Sequence, residues 1–194
     1  ATQMSVQRKV AVKTLHGDML SEDRHVKRFY REAKSASQLS HPNIVRVFDF
    51  GIDTELAVPY IVMEYLEGRT LKDLVDELGP RPEAEAVILT GQIARALVAA
   101  HAQDVVHRDL KPENVLLDHE GHVRLTDFGL AKMGITNGIE GAHSFCGTPE
   151  YLAPEIVAGK GHGMGVDFWA LGILMYELLV WDCTLRTFFA VVIC

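Results

Sequence analysis

Two short runs hold most of the side chains that could do chemistry: His107-Arg108-Asp109-Leu110-Lys111-Pro112-Glu113-Asn114 and, further along, Asp127-Phe128-Gly129. They bring together a carboxylate, an ammonium group, an amide and a second carboxylate. Moving a phosphoryl group needs groups that neutralise phosphate charge, a carboxylate near the attacking hydroxyl, and oxygen ligands for magnesium. The two runs supply a candidate for each of these groups. Asn114 and Asp127 offer the oxygen atoms a hard cation prefers. A further cation, Lys13, closes the run Val10-Ala11-Val12-Lys13. Alone, each run is weak: a His-Arg-Asp tripeptide is more often a solvated loop, and Asp-Phe-Gly arises by chance. Their occurrence together, in this order, carries the argument.

The elements that must position these residues can be read from periodicity. Lys9 to Leu15 is rich in β-branched residues and predicts a strand, with Val10 and Val12 on one face and Ala11 and Lys13 on the other. Ser21 is placed to cap a helix running to about Leu39, with Glu22 and Asp23 in its first turn, and His41-Pro42-Asn43 ends it. Ile44 to Phe50 and Ala57 to Glu64 read as strands around a turn at Gly51-Ile52-Asp53. Beyond Pro80 the pattern becomes helical, and Glu83 to Gln103 predicts a long helix with Val87, Gly91, Ala94, Val98 and His101 along its apolar stripe. Val115 to Leu117 and Val123 to Thr126 flank Gly121 as a hairpin. The helix Val166 to Val180 is so apolar that burial on all sides is expected.

The two catalytic runs, in this order and spacing, resemble the catalytic loop and metal-binding motif of the eukaryotic-type serine/threonine protein kinases. Val10-Ala11-Val12-Lys13 resembles the family's phosphate-contacting strand, with Glu32 at the offset of its lysine's partner. Ser144-Phe145-Cys146-Gly147-Thr148-Pro149-Glu150-Tyr151-Leu152-Ala153-Pro154-Glu155 resembles the end of an activation segment. The likeness is mixed. Leu39-Ser40-His41-Pro42-Asn43-Ile44-Val45 resembles bacterial-type kinases, whereas Phe145-Cys146-Gly147-Thr148-Pro149-Glu150 resembles the group containing the cyclic-nucleotide-dependent kinases.

The resemblance implies an α+β, two-lobed fold: a small lobe and linker over 1–66, a helical large lobe over 67–180, and a stretch over 181–194 that does not follow the family pattern. It implies ATP and Mg2+ as cofactors. Asp109, Lys111 and Asn114 are then the catalytic residues, and Asn114 and Asp127 the metal ligands. Lys13, held by Glu32, is implied to meet the α- and β-phosphates. Ala11 and Leu116 would sandwich the adenine, main-chain groups of Glu64 and Leu66 would bond it, and Met63 would gate a rear pocket. Ala36, Val47, His107 and Phe128 would form a regulatory stack, with Ala36 smaller than many relatives have there. Thr148 is expected to touch Asp109 and Lys111, and Glu113 and Glu177 to favour basic substrates. Arg108 implies an activation segment ordered by phosphorylation, with Ser144 the acceptor for an upstream kinase and Thr136 a weaker candidate.

The family also places a glycine-rich loop ahead of Lys13. The first twelve residues contain no glycine and are expected to be too few for two strands. With pocket roof and lobe base incomplete, the alternative expectation is a catalytically impaired kinase-like fragment that acts as a binding module.

Composition narrows the rest. Roughly half of the 194 residues are apolar, enough for a substantial core. A net charge of −7 argues against nonspecific nucleic-acid binding and favours basic protein partners. Cys146, Cys183 and Cys194 are odd in number and lack metal-ligand spacing, which argues against a disulfide framework or a zinc site. The apolar stretches are too short to span a membrane, and Ala1-Thr2-Gln3-Met4 does not begin a secretory signal, so a cytoplasmic location is expected.

Overall fold

The computed structural model describes residues 1–15, 23–128, 132–133, 148–161 and 163–180, with the backbone alone at 23, 24, 28, 32 and 132–133. The expectations for Ser21, Glu22, Gly129, Thr136, Ser144, the three cysteines and the stretch 181–194, and for the Glu32 side chain, lie outside the described residues.

The amino-terminal part is an antiparallel sheet backed by one helix. Its strands are β1 (Thr2–Gln3), β2 (Arg8–Thr14), β3 (Val47–Ile52) and β4 (Pro59–Glu64), in the order β1-β2-β4-β3. The first twelve residues thus hold β1 and most of β2. A tight four-residue connection, with Gln7 at φ 51, suffices to pair Thr2 with Lys9. Register places Ala11 opposite Met63 and Lys13 opposite Ile61, which puts these four residues on one face. Helix α1 (Asp23–Ser37) packs Phe29 and Ala33 on Ile61 of that face. The expected turn at Gly51-Ile52-Asp53 lies later. Gly51 and Ile52 remain in β3, and the Asp53 carboxylate reverses the chain by accepting the N–H groups of Glu55 and Leu56.

The remainder is mainly helical. It runs β5 (Gly68–Thr70), α2 (Leu71–Leu78), α3 (Glu83–His101), β6 (Val105–Val106), β7 (Val115–Asp118), β8 (Val123–Leu125), β9 (Lys132–Met133), α4 (Pro154–Val157) and α5 (Gly165–Val180). Helix α2 starts at a capping box: the Thr70 hydroxyl accepts Asp73 N–H, and the Asp73 carboxylate accepts Thr70 N–H. The predicted hairpin forms as β7 and β8, turning at Gly121 with φ 82.

Helix α3 buries a different stripe from the one expected. Leu89, Ile93, Ala96, Leu97 and Ala100 face the core, while Val87 and Val98 are exposed. The helix is apolar around most of its girth, so periodicity left several stripes open and packing against α5 and β8 selected one. Helix α5 likewise buries only one side, Val166, Ala170, Leu174 and Leu178 at four-residue spacing, and leaves Phe168 and Tyr176 exposed. One stripe is all that α3 requires of it.

The two parts are joined by the loop before β3. Buried Asn43 donates through Nδ2 to Gln92 Oε1 (3.0 Å) and Val123 O (2.9 Å), Leu125 N–H donates to Asn43 O (2.8 Å), and Val45 N–H to Leu125 O (2.9 Å). Gly68 makes the second close junction. A Cβ added there would lie 1.8 Å from the Leu117 carbonyl oxygen, a main-chain atom with nowhere to move. Gly68→Ala is therefore expected to open the β5–β7 pairing and to lower stability by about 1–3 kcal/mol, read as an earlier midpoint in urea unfolding.

Candidate active site

The loop from His107 to Asn114 is held from below by a carboxylate that sequence reasoning did not single out. Asp167, fully buried at the start of α5, accepts the main-chain N–H of His107 (2.9 Å) and of Arg108 (2.8 Å), and its Oδ2 lies 2.7 Å from His101 Nε2. Arg108 sits at φ 66, a left-handed conformation that non-glycine residues seldom adopt and that these bonds offset. The available signal was an acidic residue in the first turn of a mainly apolar helix whose other acid, Glu177, lies near its far end.

His107 is fully buried and links this loop to the second run. Its Nε2 lies 2.9 Å from the Thr126 carbonyl, which can only accept, so the proton is on Nε2, and Nδ1 accepts Asp109 N–H at 3.3 Å. The imidazole packs on Phe128 with ring centroids 4.8 Å apart. Phe128, Ala36, Val47 and Met63 border a small cavity of about 20 Å³. Met63 and Ala36 both line that space.

Above this base the polar side chains converge. The Asp109 carboxylate accepts the Thr148 hydroxyl at Oδ1 (3.0 Å) and Asn114 Nδ2 at Oδ2 (3.1 Å). Lys111 Nζ donates to the Thr148 hydroxyl (2.9 Å) and lies 3.4 Å from Asp109 Oδ2. The Thr148 contacts are those expected from the sequence. Asn114 Nδ2 also donates to Asp109 O (2.7 Å), and Thr126 N–H donates to Asn114 O (3.0 Å), which fixes the residue before Asp127 against the catalytic loop. Asp127, at φ 60, turns its Oδ1 to 3.4 Å from Lys13 Nζ. Lys13 and Asp127 are thus brought together across the cleft.

The strip from Glu64 to Leu66 is fastened at its first residue. Glu64 N–H bonds Arg46 O, Arg46 N–H goes to the Glu64 side chain, and Val10 gives both its main-chain groups to Ala1. Ala11 and Leu116, each half-buried, belong to β2 and β7 on the two sides of this strip. The donor set suits a magnesium ion: Asn114 commits its amide nitrogen to Asp109, so its oxygen is the atom left for a cation, and Asp127 supplies a carboxylate.

A carboxylate between an ammonium and a hydroxyl, with a second lysine–aspartate pair across a cleft, supplies the kinds of group that phosphoryl transfer needs. The family model for the protein kinase domain matches residues 1–187, which reaches into the stretch that the sequence set apart, and the chain belongs to that family. It is 42% identical to the serine/threonine-protein kinase PrkC of Bacillus subtilis, over 92% of this chain and 27% of the relative. It is 45% identical to the serine/threonine-protein kinase PkaA of Streptomyces coelicolor, over 88% of this chain and 32% of the relative. To the human cAMP-dependent protein kinase catalytic subunit PRKX it is 40% identical, over 82% of this chain and 42% of the relative. The mixed bacterial and cyclic-nucleotide-kinase likeness is therefore real, and the chain spans about a quarter to two fifths of the length of these relatives. Among the described residues, no helix is long and apolar enough to cross a membrane.

Proposed function

We propose that this chain transfers the γ-phosphate of ATP to serine or threonine hydroxyls of protein substrates. The observation that carries the reading is the Asp109–Thr148–Lys111 cluster, in which one hydroxyl already lies within hydrogen-bond reach of both the carboxylate and the ammonium. A substrate hydroxyl brought to Asp109 would be oriented by the carboxylate and would give up its proton to it late in the transfer. Lys111 would offset charge on the phosphate oxygens in flight, and Lys13 would hold the α- and β-phosphates. Magnesium, when bound, would neutralise phosphate charge, and Asn114 and Asp127 are the residues that would hold it. Adenine would lie between Ala11 and Leu116, bonded by main-chain groups of Glu64 and Leu66. Residues 1–66 and 67–180 would act as the two lobes of this cleft.

The names of the relatives support serine/threonine specificity. A preference for basic substrates follows best from Glu113, which is exposed beside the catalytic loop, whereas Glu177 already accepts the Tyr151 hydroxyl. A Glu113→Ala variant is expected to raise KM for a serine peptide carrying an upstream arginine about tenfold with kcat retained, a loss of about 1.4 kcal/mol in binding. Equal KM values for arginine-bearing and arginine-free peptides would remove this preference from the reading. Phosphorylation of Ser144 by an upstream kinase, with Arg108 as counter-charge, is the regulation that fits; Ser144→Ala is expected to remain at basal activity after treatment with an activating kinase.

A further inference from the structure

Two ion pairs cross from β2 to the helical part, one at each end of the face that carries Ala11. Lys9, Ala11 and Lys13 alternate along β2 and so share that face, each about 6–7 Å from the next. At one end Lys13 Nζ lies 3.4 Å from Asp127 Oδ1. At the other, Lys9 Nζ donates to Glu67 Oε1 at 2.9 Å, across 58 residues of sequence, and stands 5.7 Å over the Tyr65 ring. The first pair belongs to the phosphate end of the cleft. The second has no part in the catalytic reading.

Main chain fixes both ends of this outer pair. Lys9 is held in register with Thr2 of β1. Glu67 precedes Gly68, which pairs with Asp118 and sits so close to the Leu117 carbonyl oxygen that a Cβ there would be 1.8 Å from it. Glu67 therefore stands where the linker enters the sheet of β5 and β7, and Leu116 is two residues from Asp118 on β7. The bond joins the strand of Ala11 to the strand pair of Leu116, at the edge of the intervening space remote from Lys13. Its hydrogen bond and charge raise the Lys9 pKa above the ordinary lysine value and lower that of Glu67 below the ordinary glutamate value, so both are charged at neutral pH. At 71% and 65% exposure the pair is open to water and salt, and can break and re-form as a ligand passes.

Taking the adenine site as proposed above, on which this rests, we infer that Lys9 and Glu67 are positioning residues for the nucleotide: their bond clamps the outer edge of the slot between Ala11 and Leu116. The clamp works by holding the two walls together, and neither side chain needs to touch the base.

Adenosine is the probe, because it carries no phosphate and its affinity does not report the attraction of phosphate for lysine. Titration calorimetry on the whole chain compares the parent with Lys9→Glu, Glu67→Lys and the double variant Lys9→Glu/Glu67→Lys. Each single reversal is expected to weaken adenosine about threefold, the scale of an exposed pair, and the double variant, with the charges exchanged, to bind within about 1.5-fold of the parent. KM for ATP should follow the same order with kcat retained. Both residues are exposed, and melting curves that match the parent's would confirm that the variants fold. Equal adenosine affinity in all four chains, or a double variant as weak as the singles, would overturn the clamp and leave the nucleotide reading standing. Adenosine bound by none of the chains would also overturn the clamp, and failure of the parent to bind Mg-ATP as well would overturn the nucleotide reading with it.

Discussion

Replacing Asp109 by asparagine is expected to reduce γ-phosphate transfer from Mg-ATP to a basic serine peptide by about 10²–10⁴-fold, the range for loss of a positioned general base. The substitution changes one atom and leaves the main-chain oxygen of residue 109 to hold Asn114 Nδ2, so the fold should survive. The Thr148 hydroxyl can still donate to the remaining oxygen, but the new amide nitrogen meets the donors Asn114 Nδ2 and Lys111 Nζ where Oδ2 now accepts. Radiolabelled transfer, compared between two chains shown by circular dichroism to be folded, reads the effect. Equal transfer by both would sink the assignment of Asp109. Transfer by neither would leave the noncatalytic binding module as the better account of this stretch of chain.

Asp167→Ala is expected to cost the fold more than any other single change among the described residues. Its carboxylate is fully buried and neighbours two main-chain donors and His101 at once. Removing one member of such a buried, bonded group leaves the others without partners, a cost of about 3–5 kcal/mol. For a chain of this size each kcal/mol shifts Tm by roughly 2–4 °C, so a drop of about 10 °C is expected in thermal unfolding. Activity should fall with it even in the folded fraction, since Arg108 would lose the bond that holds its left-handed backbone. A Tm within about 3 °C of the parent would show that the loop is positioned by something else.

Much of the cleft was legible because its residues cluster in sequence. Asp109, Lys111 and Asn114 lie within one loop, and β2 was legible from its β-branched residues and alternation, with Lys13 singled out by the resemblance of Val10-Ala11-Val12-Lys13. Asp167 was not legible: it works from α5 on a loop some sixty residues earlier, and nothing local distinguishes it from an ordinary first-turn acid. The buried stripe of α3 failed for a different reason. Period analysis needs contrast between faces, and a helix with apolar residues nearly all round offers little. The turn after β3 was misplaced because Gly51 looked like a chain reversal, whereas its small size serves close packing: a Cβ there would sit 3.0 Å from the Tyr60 hydroxyl oxygen. The strand before β2 was overlooked because two residues carry no periodicity at all.

The bonds of Asn43 make helix α1 a lever pinned at one end. The loop that follows the helix is fastened to α3 and β8, so any swing of α1 pivots near Ser37 and is greatest at Asp23. At 1.5 Å per residue Glu32 stands about 8 Å from that fulcrum and Asp23 about 21 Å. A force applied at the Asp23 end would therefore gain nearly threefold at Glu32, and a displacement there would be reduced by the same ratio. The gearing would turn coarse movement at the far end of the helix into fine adjustment of the backbone at residue 32.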